Sequence, residues 1–516
     1  MGDPAKKILD EATTTVPSQG ADASDLMAKI GKTHTEELVI SLCGFIGTDI
    51  HGVAEKIEKI LSVEFNYEIE VIKLSDFIKK HSTKNFDGLS KFDYKKTLID
   101  EGNKLRQENE NTILAALAIQ KINFDRITEK TEKELTSYQT RRKCYIIDSI
   151  KNEDELALFR EVYREIHYSI GVFSSIEARE KNLRDSSMTD EEIGNLMNRD
   201  SGEDIVNGQK VRDTFILSDF FLRLDGPVNS GVEEKLKRFI NLIFGSEVIT
   251  PTHEETAMYH AASAANNSAC LSRQVGAALT DEHGELLSIG WNDVPKFGGG
   301  LYNSSNAGSG SRTDNRCYNL GSKGCWNDNE KDLISQELTR LLINSRIIQE
   351  GDRDRALHLI RNSKIKSLVE FSRAIHAEMM AIITGSQTAG KRVVNGSLFI
   401  TTYPCHNCAR HIILAGIKKV YYIEPYRKSL TIKLHDDAIT ENEIAVDKVV
   451  ILMYDGVSPN RYFDLFKMAP NSRKTQKGEL LKHNIKKVRP KSTSSLESIP
   501  VIEALASQSV KGFPID

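Results

Sequence analysis

The sequence lacks any apolar run of the roughly 18 residues that a bilayer-spanning helix requires. Its first residues are polar and include no apolar core of a secretory signal, so we expect a cytoplasmic protein without a membrane partner. A strong excess of one charge is also absent, because 69 basic and 73 acidic residues leave a net charge of −4. This balance and the presence of only two tryptophans favour a small substrate over nucleic acid.

Cysteine is scarce as well. Seven cysteines, an odd number, are spread thinly over 516 residues. This usage excludes a disulfide scaffold and favours a reducing compartment and metal ligation. Cys43, Cys144 and Cys270 lie in or beside apolar runs, where we predict small core residues. Cys317 and Cys325 flank a glycine-rich loop and could bind a second, structural zinc, but free thiols are the favoured interpretation because their spacing fits no standard knuckle.

The length of the chain indicates more than one domain. Short apolar runs alternate with amphipathic helical stretches, a pattern that predicts α/β architecture with a parallel sheet covered on both faces. We predict a flexible arm over 1–35, a regulatory domain over 36–246, a second α/β domain over 247–485 and a flexible tail over 486–516. The highly charged stretch 176–215 is predicted to form a helical surface excursion that could act as a lid.

The first predicted strand, 37–43, is followed by a glycine-rich turn and a helix, as in a phosphate-binding P-loop. Asp49, Ile50 and His51 stand where the P-loop pattern requires its second glycine, its lysine and its hydroxyl residue. The loop could still cradle phosphate through its backbone, at Gly44, Gly47 and Thr48. Asp148 ends another predicted strand and is either an acid of the Walker B type or a helix cap. We therefore predict a kinase-like domain that regulates and need not catalyse.

The most specific motif is His376-Ala377-Glu378, followed downstream by Pro404-Cys405-His406-Asn407-Cys408. It is the H-x-E and P-C-x-x-C pattern of zinc nucleobase deaminases. Two cysteines three residues apart at a helix start face one way, and the positive helix end favours their thiolates. His376, Cys405 and Cys408 are thus the predicted ligands of one catalytic zinc, and Glu378 is the predicted general acid–base. A structural zinc site and a chance CxxC remain the alternatives.

Residues 252–425 resemble the deoxycytidylate deaminase branch of the cytidine deaminase superfamily. The matching segments are Ser272-Arg273-Gln274-Val275-Gly276-Ala277, Gly290-Trp291-Asn292, His376-Ala377-Glu378 and Thr402-Tyr403-Pro404-Cys405. The resemblance implies a five-stranded mixed sheet with helices on both faces. It also implies substrate-binding roles: Asn292 on the deoxyribose, the Ala377 N–H on the base, and Ser272 and Arg273 near the phosphate. Trp291 departs from the tyrosine that is usual in the family.

The segments 424–439 and 455–466 resemble the C-terminal part of bacterial antiphage dCTP deaminases, which join a P-loop-kinase-like domain to a deaminase of this type. The similarity covers about 35–485. It implies deamination of dCTP, and of dCMP, with ammonia released and the dCTP pool depleted. It further implies a homo-oligomer held in check by its N-terminal domain, with an RNA or protein inhibitor as a partner. Tyr426 and its neighbours follow a predicted strand where a phosphate could dock, or else form an ordinary solvated loop.

Three other functions compete with this interpretation. A deaminase of RNA or single-stranded DNA would need a basic channel lined by stacking aromatics. A nucleotide sensor that only binds would not need Glu378. Phosphoryl transfer by the N-terminal domain is disfavoured by Ile50 and His51 at the key P-loop positions.

Overall fold

The computed structural model describes residues 31, 33–133, 138–200, 208–224, 231–304, 314–321, 323–425, 429–469, 472–492, 494–510 and 512–513. Nearly all of the predicted arm over 1–35 lies outside these residues. The described strands are β1 Leu38–Gly44, β2 Glu68–Lys73, β3 Lys143–Asp148, β4 His167–Phe173, β5 Phe220–Arg223, β6 Gly276–Thr280, β7 Leu286–Trp291, β8 Ser397–Thr402, β9 Lys419–Glu424, β10 Ile439–Thr440, β11 Val449–Met453 and β12 Gly456–Val457.

Helices cover much of the remaining described chain. The helices of the first half are α1 Ile50–Val63, α2 Leu74–His81, α3 Lys91–Glu108, α4 Ile113–Glu132, α5 Glu153–Tyr163, α6 Ile176–Arg184, α7 Asp190–Asp200, α8 Val211–Phe215 and α9 Val232–Phe244. Those of the second half are α10 His253–Ala265, α11 Trp326–Asn344, α12 Arg353–Arg361, α13 Ala377–Ala389, α14 His406–Leu414, α15 Thr431–Leu434, α16 Tyr462–Phe466 and α17 Ile499–Ser507. Short 3₁₀ turns occur at Arg164–Ile166, Cys317–Asn319, Glu350–Asp352, Lys364–Ser367, Gly390–Val393, Pro459–Arg461 and Gln508–Val510.

The first sheet has the strand order β12-β5-β4-β1-β3-β2. Strands β5, β4, β1, β3 and β2 are parallel, and the short β12 pairs antiparallel with β5. Every residue of β1 is buried because helices cover both faces. Leu38, Ile40 and Leu42 pack with α1 and α9, whereas Val39 packs on the other face with α4 and α5. The predicted parallel α/β sheet is therefore confirmed, while its likeness to a kinase stays a prediction.

The second sheet is mixed, with the order β10-β11-β9-β8-β6-β7. Strands β10, β11, β9 and β8 run parallel, and β6 is antiparallel to both β8 and β7. The predicted count of five strands was wrong for the described chain, because Ile439–Thr440 adds a sixth, two-residue strand beside β11. Helix α10 packs on one face at Gly276, and α13 packs on the other at Gly290.

The two halves share a hydrophobic core, which differs from the independent domains that a boundary at 246/247 suggests. Phe45, Phe215 and Phe221 of the first half pack in one cluster with Met258 and Tyr454 of the second. Strand β12 lies in the second half of the chain, yet it completes the edge of the first sheet. The boundary in sequence is therefore not a boundary in packing.

The prediction of a flexible tail over 486–516 was wrong for its described part. Helix α17 packs against α4 of the first domain, and Ile499 is fully buried there. Its Glu503 carboxylate accepts hydrogen bonds from the buried Arg126 guanidinium at 2.9 and 3.0 Å, and Glu37 pairs with the same guanidinium. The polar texture of the preceding 486–498 concealed this short apolar helix.

Within the part of the chain that the structure describes, no helix combines the length and apolarity needed to cross a membrane.

Candidate metal centre and glycine loop

Two helix starts converge at the C-terminal half of the molecule. His376 is the N-cap residue of α13, and Cys405 is the N-cap residue of α14. The start of α13 is tied to the sheet by the Ile375 N–H, which donates to the Asp293 carbonyl just beyond β7 at 3.0 Å. Cys405 follows β8 and Pro404. The sheet therefore positions the starts of both helices, α13 through the end of β7 and α14 through the end of β8.

The ligand atoms of His376, Cys405 and Cys408 all lie within 4.8 Å of one another. His376 Nδ1 is 3.2 Å from Cys408 Sγ and 3.4 Å from Cys405 Sγ. Zinc–nitrogen and zinc–sulfur bonds in a tetrahedral site place nitrogen and sulfur about 3.6 Å apart. The separations thus fit a zinc ion with these three protein ligands.

The three donor side chains also shift one another's pKa values. A hydrogen bond with Cys408 lowers the pKa of Cys405 to about 4, which leaves a thiolate. The hydrogen bond with Cys405 raises the pKa of His376 to about 9. In Cys408 the pKa is raised well above the usual value by the same partner. The lowered pKa of Cys405 favours its thiolate, and a bound metal would displace the protons of His376 and Cys408.

Glu378 lies in the first turn of α13, two residues after His376, and is 5% exposed. Burial raises the pKa of its carboxyl, because desolvation disfavours the charged form. Ala377 between them is completely buried. Both residues are positioned by Gly290, since a Cβ there would lie 2.3 Å from the Ala377 carbonyl oxygen and 2.6 Å from the Ala381 nitrogen.

The predicted substrate residues are arranged around the nearby loop 272–275. Asn292 is nearly buried, and its side chain accepts from the Val275 N–H at 2.8 Å and donates to the Arg273 carbonyl at 2.9 Å. Ser272 Oγ lies 3.4 Å from Cys325 Sγ. Arg273 donates to Glu424 at 2.7 Å and is 46% exposed. Asn292 thus holds the loop through two hydrogen bonds to its backbone, while the Arg273 side chain lies at the protein surface.

Tyr426 lies outside the described residues. The residues that flank it contact the metal-donor site through Pro404, whose carbonyl accepts from Ser429 Oγ and from Thr431 Oγ1, each at 2.9 Å. Sequence patterns did not reveal these contacts, nor that Arg212 of α8 reaches across to Glu424 at 3.3 Å. A hydroxyl pair two residues apart gives no recognisable signal in sequence.

Cys317 and Cys325 line a small cavity together with Cys270. Within the described residues, the His376 cluster is the only group of three or more His, Cys, Asp or Glu donors that comes together closely enough for a metal. A second zinc at Cys317 and Cys325 therefore gains no support from their surroundings.

The glycine loop after β1 is occupied by a side chain of the chain itself. Asp200 at the end of α7 is 1% exposed and accepts from the Ile46 N–H at 2.6 Å and from Lys151 Nζ at 2.9 Å. Helix α6 covers the loop from the other side, with Arg179 donating to the Ile46 carbonyl at 2.8 Å. The described part of the charged stretch 176–215 is helical, as predicted, and α6 and α7 share a small apolar cluster with Ile99 of α3.

Gly44, Gly47 and Thr48 lie in this covered loop. A Cβ on Gly44 would lie 2.7 Å from the Val172 carbonyl, and Gly47 has a φ of +87°, so both positions require glycine for the loop itself. Asp148 forms a short hydrogen bond with His51, while Asn152 caps the following helix. Asp148 is therefore not that cap.

Comparisons with known proteins bear on the second half of the chain. Residues 251–424 match the family model described as the cytidine and deoxycytidylate deaminase zinc-binding region. Over 162 residues the chain is 27% identical to the deoxycytidylate deaminase of Enterobacteria phage T4, a match that covers 31% of this chain and 72% of that protein. It is 37% identical over 82 residues to ComE operon protein 2 of Bacillus subtilis (strain 168). This match covers 16% of this chain and only 43% of that relative.

The dCMP deaminase of cyanophage S-TIM5, solved in complex with dCMP and dUMP, aligns with 21% identity and a TM-score of 0.23, covering 40% of this chain and 99% of that one. The family match includes His376, Glu378, Cys405 and Cys408 and leaves the first 250 residues unassigned. The C-terminal half of this protein therefore contains a cytidine- and deoxycytidylate-deaminase-like domain.

Proposed function

We propose that this protein is a zinc-dependent deaminase that converts dCTP and dCMP into the corresponding uracil nucleotide and ammonia. The observation that carries the proposal is the cluster of His376, Cys405 and Cys408 donors with the buried Glu378 carboxyl beside it. A structural zinc site has four protein ligands and needs no carboxyl group beside the metal. Three donors and an acid–base group are what a hydrolytic centre needs.

His376, Cys405 and Cys408 would hold the metal, with the three donor atoms already at suitable separations. When bound, zinc would act as a Lewis acid that makes a water molecule acidic near neutral pH. The protein supplies the rest of the chemistry. Three protein ligands would leave such a metal open to a water molecule, as in catalytic zinc sites.

Glu378 would manage the protons of the reaction. A water molecule adds to C4 of the cytosine ring, and Glu378 accepts a proton from it and delivers that proton to N3. Glu378 then takes the remaining proton of the hydroxyl now on C4 and passes it to the amino group, so that the C4–N bond breaks, ammonia leaves and the C4 carbonyl of uracil forms. The raised pKa of Glu378 supports this role, because a carboxyl with a pKa nearer to neutrality both accepts and releases a proton readily.

Substrate recognition would use the residues around the loop 272–275. We assign the Ala377 N–H to the base and Asn292 to the deoxyribose, through the capacity that its two loop hydrogen bonds leave unused. Ser272, Arg273 and Tyr426 would contact the phosphates. Arg273 would exchange Glu424 for a phosphate oxygen, which its exposed position allows. The phage T4 relative is a deoxycytidylate deaminase, in agreement with this substrate class.

We further propose a cytoplasmic homo-oligomer in which the first domain regulates deamination, with an RNA or a protein as inhibitor. Depletion of the dCTP pool would then serve defence against phage. This role comes from the resemblance of the chain to antiphage dCTP deaminases. The Asp200 carboxylate occupies the glycine loop, which supports a regulatory role of the first domain over a kinase activity.

Ammonia release by the purified zinc-loaded protein tests the proposal. The substrates are dCTP, dCMP, cytidine and a cytosine-containing oligonucleotide. We expect turnover of dCTP and dCMP and a loss of at least about 100-fold in Glu378→Gln. Glu282→Ala, a change at a surface carboxylate that is 60% exposed, is the control and should keep full activity. Turnover of the oligonucleotide alone, or equal rates in Glu378→Gln, would contradict the proposal.

A further inference from the structure

Two guanidinium groups from different parts of the chain meet at one oxygen atom of Glu424. Arg273 of the loop 272–275 donates to Glu424 Oε1 at 2.7 Å, and Arg212 of α8 donates to the same oxygen at 3.3 Å. Arg273 belongs to the deaminase-like segment, whereas Arg212 belongs to the first half of the chain. The first half therefore places a cation beside the loop that carries a proposed phosphate ligand.

The position of Arg212 is fixed by the core that the two halves share. Its neighbours in α8, Val211 and Phe215, are completely buried and pack in one cluster with Met258 of α10. The Arg212 side chain itself is 31% exposed. The backbone of Arg212 is therefore held relative to both halves, while its guanidinium can still bind a ligand that arrives from solvent.

Arg212 also has hydrogen-bonding capacity that its protein partners do not use. Its Nε is buried and donates no hydrogen bond within the described residues, although the Asp213 carboxylate lies 3.5 Å away. Its 3.3 Å contact with Glu424 is longer than the usual distance between a cationic N–H group and a carboxylate, about 2.7 to 2.9 Å. A guanidinium presents its N–H donors in a planar fork that matches a phosphate group. Arg212 is thus suited to exchange weak protein contacts for a phosphate.

The charges around Glu424 favour a ligand with more than one phosphate group. Glu424 brings one negative charge against two guanidinium groups. The other carboxylate beside Arg212 is Asp213, which is 47% exposed, so solvent screens much of its charge. A triphosphate carries more negative charge than a monophosphate and offers more oxygens as acceptors of charge-assisted hydrogen bonds.

Contacts of the backbone place these cations in order along a bound nucleotide. Arg273 adjoins the proposed sugar site, because the Asn292 amide donates to its carbonyl oxygen at 2.9 Å. Glu424 adjoins the metal donors, because its carbonyl oxygen accepts from the Tyr403 N–H at 2.9 Å, two residues before Cys405. The phosphate nearest the sugar would therefore meet Arg273 first.

We propose that Arg212 is a specificity-determining residue that recognises the distal phosphates of a deoxycytidine triphosphate. The inference rests on the proposed deaminase function and adds to its substrate site a residue from the first half of the chain. Arg273 binds the phosphate of dCMP without Arg212. The longer phosphate chain of dCTP extends past Glu424 and gains Arg212, so the first half of the chain selects the triphosphate.

Steady-state ammonia release by the full-length zinc-loaded protein, with dCTP and dCMP as separate substrates, tests the proposal. In Arg212→Gln we expect the ratio of kcat/KM for dCTP to that for dCMP to fall at least tenfold, mainly through a higher KM for dCTP. Arg212→Lys, which keeps the charge but not the fork, should lose less. Arg361→Gln is the matched control, because Arg361 is 26% exposed and also pairs with two carboxylates, Asp328 and Asp332.

A change in this ratio separates recognition from a structural role, since damage to the fold lowers the rates with both substrates together. An unchanged ratio in Arg212→Gln would overturn the proposal. Thermal unfolding checks that each variant is folded, and Arg212→Lys decides the result if Arg212→Gln is not.

The same comparison at equilibrium needs no turnover. Full-length Glu378→Ala protein, with and without Arg212→Gln, is titrated calorimetrically with dCTP and dCMP, and we expect Arg212→Gln to weaken dCTP binding at least tenfold relative to dCMP binding. If the unchanged protein releases no ammonia, the deaminase function fails, but the titration still decides the role of Arg212. Affinity for dCTP that is absent, or equal with and without Arg212→Gln, contradicts that role.

Discussion

Asp200 and Lys151 form a buried ion pair at 2.9 Å directly over the glycine loop of the first domain. One carboxylate oxygen of Asp200 pairs with Lys151, and the other accepts a hydrogen bond from the Ile46 N–H. In a functional loop of this kind, that N–H would face a phosphate. Lys151 also donates to the Gly44 carbonyl at 2.7 Å. The chain thus fills the anion position of its own loop with a carboxylate.

Replacement of Asp200 by Asn should destabilise the first domain and leave Lys151 without its counter-charge. Because Lys151 is 18% exposed, we expect a decrease of about 1 to 3 kcal/mol in the free energy of unfolding, less than for a completely buried pair. Chemical denaturation measures it. Lys151→Met and the double variant complete a mutant cycle. A double variant that loses the sum of the single losses would show that the pair is not coupled.

Gly290→Ala should disturb the metal centre from the opposite side of α13. A Cβ at this position would lie 2.3 Å from the Ala377 carbonyl oxygen, so the helix that carries Glu378 must shift. We expect reduced zinc content after purification and a loss of ammonia release. Gly351→Ala is the matched control, since a Cβ there meets nothing within 4 Å. Full zinc occupancy in Gly290→Ala would argue that α13 can move without harm to the site.

Glu503→Gln should release α17 from the first domain. The Arg126 guanidinium would keep Glu37 but lose its second carboxylate in a buried setting, where removal of one partner is costly. Limited proteolysis followed by mass spectrometry should show faster cleavage between 490 and 510 than in the unchanged protein. Glu497→Gln, at an exposed position before the helix, is the control. Equal cleavage rates would mean that apolar packing at Ile499 alone holds the helix.

Stability of the first domain should fall as the pH drops below about 6.5. Burial lowers the pKa of His167 well below its usual value, and its Nε2 lies 3.0 Å from Ser41 Oγ. The unfolded chain binds a proton at this residue below about pH 6.5 and the folded chain does not, so each further pH unit costs up to about 1.4 kcal/mol. Denaturation curves at pH 5, 6 and 7 measure this slope, which should flatten in His167→Gln.

Sequence patterns sufficed for the parts of this molecule whose signals are local. The alternating apolar runs predicted the parallel sheet of the first domain, whereas the mixed second sheet was implied by the family resemblance. The HAE and PCxxC motifs predicted that His376, Cys405 and Cys408 would meet. The sequence did not predict that the Asp200 carboxylate occupies the glycine loop. It lies in a charged stretch, and only the packing of α7 directs one of many acids inward.

Strand β12 and helix α17 were missed for a related reason. A two-residue strand has too little periodicity to be recognised, and its partner β5 lies more than 200 residues earlier in the chain. Most of the nine residues of α17 are apolar, but they follow a basic and serine-rich segment that is typical of disorder. Both elements are specified by the surface that they cover, which no local pattern encodes.

The return of the chain to the first sheet has a topological consequence. Since β12 and α17 both belong to the first domain by packing, the deaminase-like segment is an insertion whose two ends are fastened to the same body. The first domain could therefore not be excised as one continuous fragment, because its residues lie on both sides of the deaminase-like segment. The inserted segment is covalently joined to the first domain at both of its ends, so a movement of one relative to the other must change the backbone at two places.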